Sequence, residues 1–142
     1  MADRRASIAG VDVSLDHWIG GRRVGSDESF ANHSPIDGTL LGEVSAAGAG
    51  LVDEAVGAAR AAFPGWAALG PGGRQTILRR FAEGILARSA DLAAVETADN
   101  GSLLMGNAHR VVPRSAQNIS FFADWAMGLL DHTIDHEEVV NI

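Results

Sequence analysis

Residues 52–101 read VDEAVGAARAAFPGWAALGPGGRQTILRRFAEGILARSADLAAVETADNG, and their apolar spacing decides the fold. Val52, Ala55, Val56, Ala59 and Phe63 recur at the interval of one face of an α-helix. Asp53 and Glu54 are placed for its first turn, where negative charge opposes the positive end of the backbone dipole. Pro64 and Gly65 are expected to stop this helix, with Trp66 as an apolar plug behind it. Gly70 and Pro71 open a second helix, since proline is tolerated where the amide has no partner. Ile77, Leu78, Phe81 and Ile85 form its inner face, and Arg79, Arg80, Glu83 and Arg88 its wet side. Ser89 is placed to cap a third helix with Leu92 and Val95 inward, and Gly101 is placed to end it at positive φ.

Outward from this stretch, His17 to Val24 reads as two short strands about the Gly20-Gly21 turn. Phe30–His33 and Thr39–Val44 read as two more strand pieces around the turn Ser34–Gly38. So few short strands make a marginal sheet and need a larger body to lie against. Residues 1–16 are small and polar and are expected to be a flexible tail. Ser102 to Arg110 is open between helix and loop. Pro113 begins a fourth helix reaching about Leu130, with Ile119, Phe121, Phe122, Trp125, Ala126, Leu129 and Leu130 on more than one side. A helix apolar on two sides is normally sandwiched between neighbours. Residues 131–142 turn polar and then alternate as at the start of a strand. The expectation is an α/β, predominantly helical fragment: short N-terminal strands, about four helices, and a unit spanning 17–130 that is not closed.

The totals narrow the function. A chain of 142 residues has the length of one domain and buries about two-thirds of its unfolded surface when complete. A net charge of −7 argues against nucleic acid and anionic membrane as partners. No run approaches the length of a membrane span. Arg4-Arg5 is followed by no apolar export core, so a cytoplasmic location is expected. With no cysteine, neither a disulfide nor a thiolate nucleophile is available.

Candidate chemistry is thin. His132 and His136, spaced to share a helix face, sit among Asp131, Asp135, Glu137 and Glu138, but the glutamate of H-E-x-x-H is missing, and a solvated acidic tail is the plainer reading. Gly70–Gly73 lacks the G-x-G-x-x-G pattern and any Gly-Lys-Ser/Thr, so it reads as a helix start and not a phosphate loop. Ser102, Ser115 and Ser120 have no nucleophile elbow around them. His17, His33 and His109 are scattered. Phe121, Phe122 and Trp125 fit a core better than a base-stacking platform on an acidic chain.

Five motifs in order carry a resemblance. HWIGGRRV at 17–24, FANHSPIDGTLLGEV at 30–44, VDEAVGAARAAFPGW at 52–66, Arg74 with Ile77-Leu78, and ETADNG at 96–101 together resemble the N-terminal segment of the NAD(P)-dependent aldehyde dehydrogenase superfamily. Ser34 stands where the family has asparagine, and Ser102 where it has lysine. PRSAQN at 113–118, followed by Phe121-Phe122-Ala123, is similar to the branch acting on muconic-type semialdehydes, such as 5-carboxymethyl-2-hydroxymuconate semialdehyde. The resemblance implies a much longer enzyme with a Rossmann-like nucleotide domain, a cysteine nucleophile, hydride transfer to NAD or NADP, and thioester hydrolysis. The sheet, the cysteine and the dinucleotide site all lie outside the resemblance. The chain alone is therefore expected to be non-catalytic, with no cofactor bound. Some family members hold a monovalent cation, and the matching positions are Asp99, Asn32 and His33; a plain helix-end role for Asp99 stands beside that reading. As partners, the apolar face of the fourth helix implies association with a second copy or a full-length relative. Two other readings stay open: a non-catalytic interaction module docking on another protein, and a small metal-binding protein using His132 and His136.

Overall fold

A computed structural model of the chain describes residues 3–128. The chain enters not as a tail but as a hairpin. β1 (Arg5–Ile8) and β2 (Val11–Ser14) pair antiparallel from Arg5↔Ser14 to Ile8↔Val11. Ala9 (φ 50°) and Gly10 (φ 80°) both turn left-handed, as a two-residue hairpin turn requires. The expectation of a flexible 1–16 is thereby corrected. An alanine at positive φ is not the usual hairpin signal, and the buried Ile8 is an isolated apolar residue in a polar stretch. β3 (His17–Ile19) and β4 (Arg22–Val24) form the expected hairpin about Gly20 (φ 58°) and Gly21 (φ 80°). β5 (Ser29–His33) and β6 (Leu40–Ser45) pair antiparallel with a register shift at Asn32/His33.

The three ribbons do not merge into one sheet. A buried polar knot ties them instead. The Asp16 carboxylate accepts from the Ser45 hydroxyl (2.6 Å) and from the Arg4 amide (3.0 Å), while the Arg4 guanidinium donates to Ser45 (2.7 Å). Arg23 donates to the Asp16 main-chain carbonyl (3.1 Å), so residues flanking or within β1, β3, β4 and β6 meet at one residue. Ser45 and Arg4 hydrogen bonds hold that carboxyl below its usual pKa.

The helices follow as α1 (Ala49–Ala68), α2 (Gly70–Ala87), α3 (Ser89–Asn100), the single turn α4 (Leu104–Gly106), a π-helical turn (Asn107–Val111) and α5 (Val112–Trp125). The mixed, mostly helical composition matches expectation, and the strands are all in antiparallel pairs among the described residues. Several boundaries differ. α1 runs through Pro64 because the lost amide bond is one among many, and the final turn is fastened by Leu69 N–H donating to the Trp66 carbonyl. It starts at Ala49, so Asp53 and Glu54 fall beyond the first turn, and Glu54 pairs with Arg22 across to β4 (2.7 Å). Ser89 is the first residue of α3 and not its cap. α5 ends at Trp125, and Leu129, Leu130 and 131–142 lie outside the described residues.

α2 and α5 pack closely through small residues: Ala82 on α2 and Ala116 and Ala123 on α5 are buried. Asp124 fastens the pair, accepting from Gln75 (2.9 Å) and, in a fork, from Arg79 (2.8 and 2.9 Å). Gln75 and then Arg79 lower its pKa. The expected inner faces are only partly covered. On α2, Leu78 and Ile85 are half-buried, but Ile77 and Phe81 are exposed. On α1 no residue is buried.

Asp16→Asn is expected to lower stability by about 1–2 kcal/mol at neutral pH, the order for a buried charge-assisted hydrogen bond. Because the folded pKa is depressed, the Asp16 contribution is present above the ordinary carboxylate value and fades as pH falls through the folded one. Urea unfolding at neutral pH and at about pH 3 measures it. The variant should lose less stability between the two than the parent chain does.

Candidate functional site

The end of α3 is where the ribbon layer and the helix layer meet. Gly101 takes φ 74° and ψ 6°, and its amide donates to the Thr97 carbonyl (2.9 Å), closing the helix. A Cβ at Gly101 would stand 3.0 Å from Pro35 Cγ, so both the backbone and the close approach of the Ser34–Gly38 turn demand glycine. Beyond it, Ser102 N and Oγ both donate to Asn100 Oδ1 (2.8 and 2.6 Å), and Asn100 donates to Glu96 (2.7 Å).

Asn107 is the centre of this joint. It is 2% exposed in the π-helical turn, and its amide donates to Thr97 Oγ1 (2.9 Å) and to Ser102 Oγ (2.8 Å). Sequence spacing leaves 102–110 open between helix and loop and does not single out Asn107. The available signal was a lone amide between apolar segments, six residues past a glycine helix stop. It became legible only when the polar residues of 96–102 turned out to face it. Ser115, singled out as a bare hydroxyl, donates back to the Val111 carbonyl (3.0 Å) within the helix.

Of the three candidate cation ligands, the fold unites two. Asn32 on β5 donates its amide to Asp99 Oδ1 at 2.6 Å across 67 residues of chain. In this contact Asn32 offers hydrogen and not a ligand oxygen, which braces β5 against α3. His33 is exposed and stands at the register shift that separates it from Asn32. Among the described residues no group of three or more His, Asp or Glu side chains converges to hold a metal. The cluster from Asp131 to Glu138, with His132 and His136, lies outside them.

The described residues do not form a dinucleotide site. Such a site needs a buried parallel strand, a glycine-rich turn and a helix N-terminus in succession, whereas Gly70–Gly73 follows α1 directly. The main cavities are open grooves. One of about 380 Å³ lies between β2 and α3, lined by Arg5, Asp12, Arg23, Arg88 and Asp91. Its charges are largely spent internally, since Arg5 forks onto Asp12 (2.7–3.0 Å) and reaches Asp3 (2.6 Å). No described helix is long and apolar enough to cross a membrane.

Asn107→Ala removes two donors at the joint and leaves Thr97 and Ser102 short of a partner. A loss of about 1–3 kcal/mol in urea unfolding is expected, with faster amide exchange at Gly101 and Ser102 than at Ala82 in α2.

The comparisons with known proteins agree with this geometry. A family model described as the aldehyde dehydrogenase family matches residues 23–141. The 5-carboxymethyl-2-hydroxymuconate semialdehyde dehydrogenase of Escherichia coli is 34% identical over 110 residues, which are 78% of this chain and 24% of that one. The 2-aminomuconic semialdehyde dehydrogenase of Danio rerio is 35% identical over 121 residues, 85% of this chain and 24% of that one. Among solved structures, PnpE from Pseudomonas sp. WBC-3, also seen in complex with nicotinamide adenine dinucleotide, superposes with a TM-score of 0.80 at 33% identity, covering 87% of this chain and 26% of its own. The chain thus spans about a quarter of the length of these relatives.

Proposed function

The chain belongs to the aldehyde dehydrogenase family, and from that premise we propose that it serves as the N-terminal segment of an enzyme oxidising a semialdehyde to a carboxylic acid with NAD or NADP. Muconic-type semialdehydes are the favoured substrate class, because both relatives quoted above are named for them. The observation that carries the reading is the pairing of a well-matched fold with a quarter of the relatives' length. The described residues supply scaffold: the Asp16 knot, the Asn107 joint and the Asn32–Asp99 brace. The thiol that would attack the aldehyde is not among the chain's residues, which include no cysteine, so the chemistry belongs to the remaining three quarters of such an enzyme.

The outer face of α5 supports the same assignment. Phe121 and Trp125 stack with ring centres 6.3 Å apart, and Phe122 meets Phe121 edge-on at 5.2 Å. All three are more than half exposed, while Val112, Ala116 and Ala123 face inward on the same helix. Apolar side chains grouped on one exposed face mark a surface meant to be covered. In a second reading, that face is the docking surface of a non-catalytic module on a longer relative.

The Asn32–Asp99 pair enters the proposal as the place where a monovalent cation would bind, through carboxylate oxygen left free by Asn32 and main-chain oxygen near His33. Replacing potassium by tetramethylammonium at equal ionic strength should then lower the thermal transition of the parent chain. Asp99→Asn should abolish the difference, and an equal transition in both salts removes the cation.

Incubated with NAD or NADP and a muconic-type semialdehyde, this chain alone is expected to produce no reduced nicotinamide. Fused ahead of the downstream three quarters of a relative, it should restore turnover that the downstream part lacks. Turnover by the 142-residue chain unaided overturns the assignment.

A further inference from the structure

Asn100 and Gly101 form the chain's one asparagine–glycine pair. Asparagine is chemically labile, and this pairing is its most reactive setting, because glycine has no Cβ to crowd an attack by its own amide. The Gly101 nitrogen can bond to the side-chain carbonyl carbon of Asn100 while the Cγ–Nδ2 bond breaks. The Gly101 amide proton leaves with the departing nitrogen as ammonia, and a five-membered succinimide remains. Water then opens the ring at either carbonyl. One product is aspartate; the other is isoaspartate, in which the main chain is rerouted through the side chain. Nothing is oxidised or reduced, and water is the sole co-reactant.

The fold holds the two ends of this reaction in opposite senses. The Asn100 carbonyl is polarised, since Oδ1 accepts from Ser102 N (2.8 Å) and Ser102 Oγ (2.6 Å). Those donors sit where negative charge grows as Cγ becomes tetrahedral. The nucleophile is withheld. Gly101 N–H donates to the Thr97 carbonyl (2.9 Å), and its proton must be lost before the nitrogen attacks. The leaving nitrogen, Nδ2, is tied back to Glu96 Oε1 (2.7 Å). Asn107 grips the chain on both sides of the pair, donating to Thr97 Oγ1 (2.9 Å) and Ser102 Oγ (2.8 Å).

We propose that Asn100 is a modification site that deamidates when the last turn of α3 opens, and that Asn107 holds that turn shut. Its rate is that of the open pair scaled by the fraction of time the turn is open. The reaction runs one way and promotes its own continuation. A carboxylate at this position has no hydrogen to give Glu96. It sets like charges together at a helix C-terminus, where the backbone dipole disfavours anions. Isoaspartate also adds a methylene to the main chain beside Gly101, where even a Cβ would stand 3.0 Å from Pro35. Each event therefore loosens the joint that had prevented it. The argument uses bonds within this chain alone and is independent of the catalytic reading of the family.

Peptide mapping by mass spectrometry of the full 142-residue chain, warmed at neutral pH, tests it. The modification reads as a gain of about one dalton on the peptide carrying position 100, and methyltransferase labelling counts the isoaspartate. Deamidation is expected to be at least about tenfold slower in the folded chain than in the chain unfolded by urea. Asn107→Ala should speed it at least about threefold while helical circular dichroism stays as in the parent. Urea too dilute to unfold the chain should speed it in step with amide exchange at Gly101, which decides the matter should the variant fail to fold. Equal rates in the folded and unfolded chain, none in either included, overturn the proposal, as does a folded Asn107→Ala variant with the parent's rate. Faster reaction at Asn107 or Asn118, which alanine and isoleucine follow, or a modified chain that unfolds at the parent's urea concentration, overturns it equally.

Discussion

The constraint beneath the whole structure is a shortage of apolar burial. The buried apolar side chains among the described residues are Ile8, Ile19, Val112 and four alanines, while Phe63, Phe81, Phe121, Phe122 and Trp125 all stand more than half exposed. Burying a large apolar side chain contributes roughly 1.5–3 kcal/mol, so most of the stabilising capacity of these helices is left unused within the chain. Small residues at the α2–α5 contact bring backbones close but offer little area. The helices are shaped to be clad on more than one side.

Polar groups take up some of what the thin core leaves undone. Asp16, Ser45 and Asn107 are buried and each is hydrogen-bonded, as interior polar atoms must be to avoid a desolvation penalty. Their placement is telling. Asp16 gathers residues of three ribbons that share no sheet, and Asn107 gathers the end of α3 and the start of the last helical stretch. Hydrogen bonds have direction, so these two points fix orientation where apolar packing would fix only proximity. The exposed Asn32–Asp99 contact adds a third tie, between β5 and α3.

The legible parts of the sequence were those with a strong local rule. The spacing in 52–101 foretold three helices, Gly20-Gly21 a hairpin and Gly101 a helix stop, each of which the structure contains. The family was legible because motif order survives substitutions such as Ser34 and Ser102. Wherever the outcome depended on distant partners, the reading failed. The β1–β2 hairpin turns on an alanine at positive φ and on polar ties to residues far along the chain. Pro64 reads as a stop on its own preference, yet the turn that follows it carries α1 on to Ala68. The apolar faces of α1 and α2 lie where the spacing puts them but are at most partly covered, since periodicity says which side is greasy and nothing about whether a neighbour is present. Asn107 was invisible for the same reason: its partners become neighbours only in three dimensions.

The π-helical turn at Asn107–Val111 has a consequence for how this chain tolerates length changes. A wide turn of this kind holds one residue more than an ordinary helical turn, and one residue is worth about 100° of rotation. Deleting one of those five positions would let the turn tighten to an ordinary helical one and leave the phase of α5 as it is, whereas a deletion within α5 itself would swing everything after it by that angle. The extra residue is therefore slack: the wide turn can give it up without altering the face that α5 shows to the outside, about 15 Å further on at roughly ten residues of helical rise.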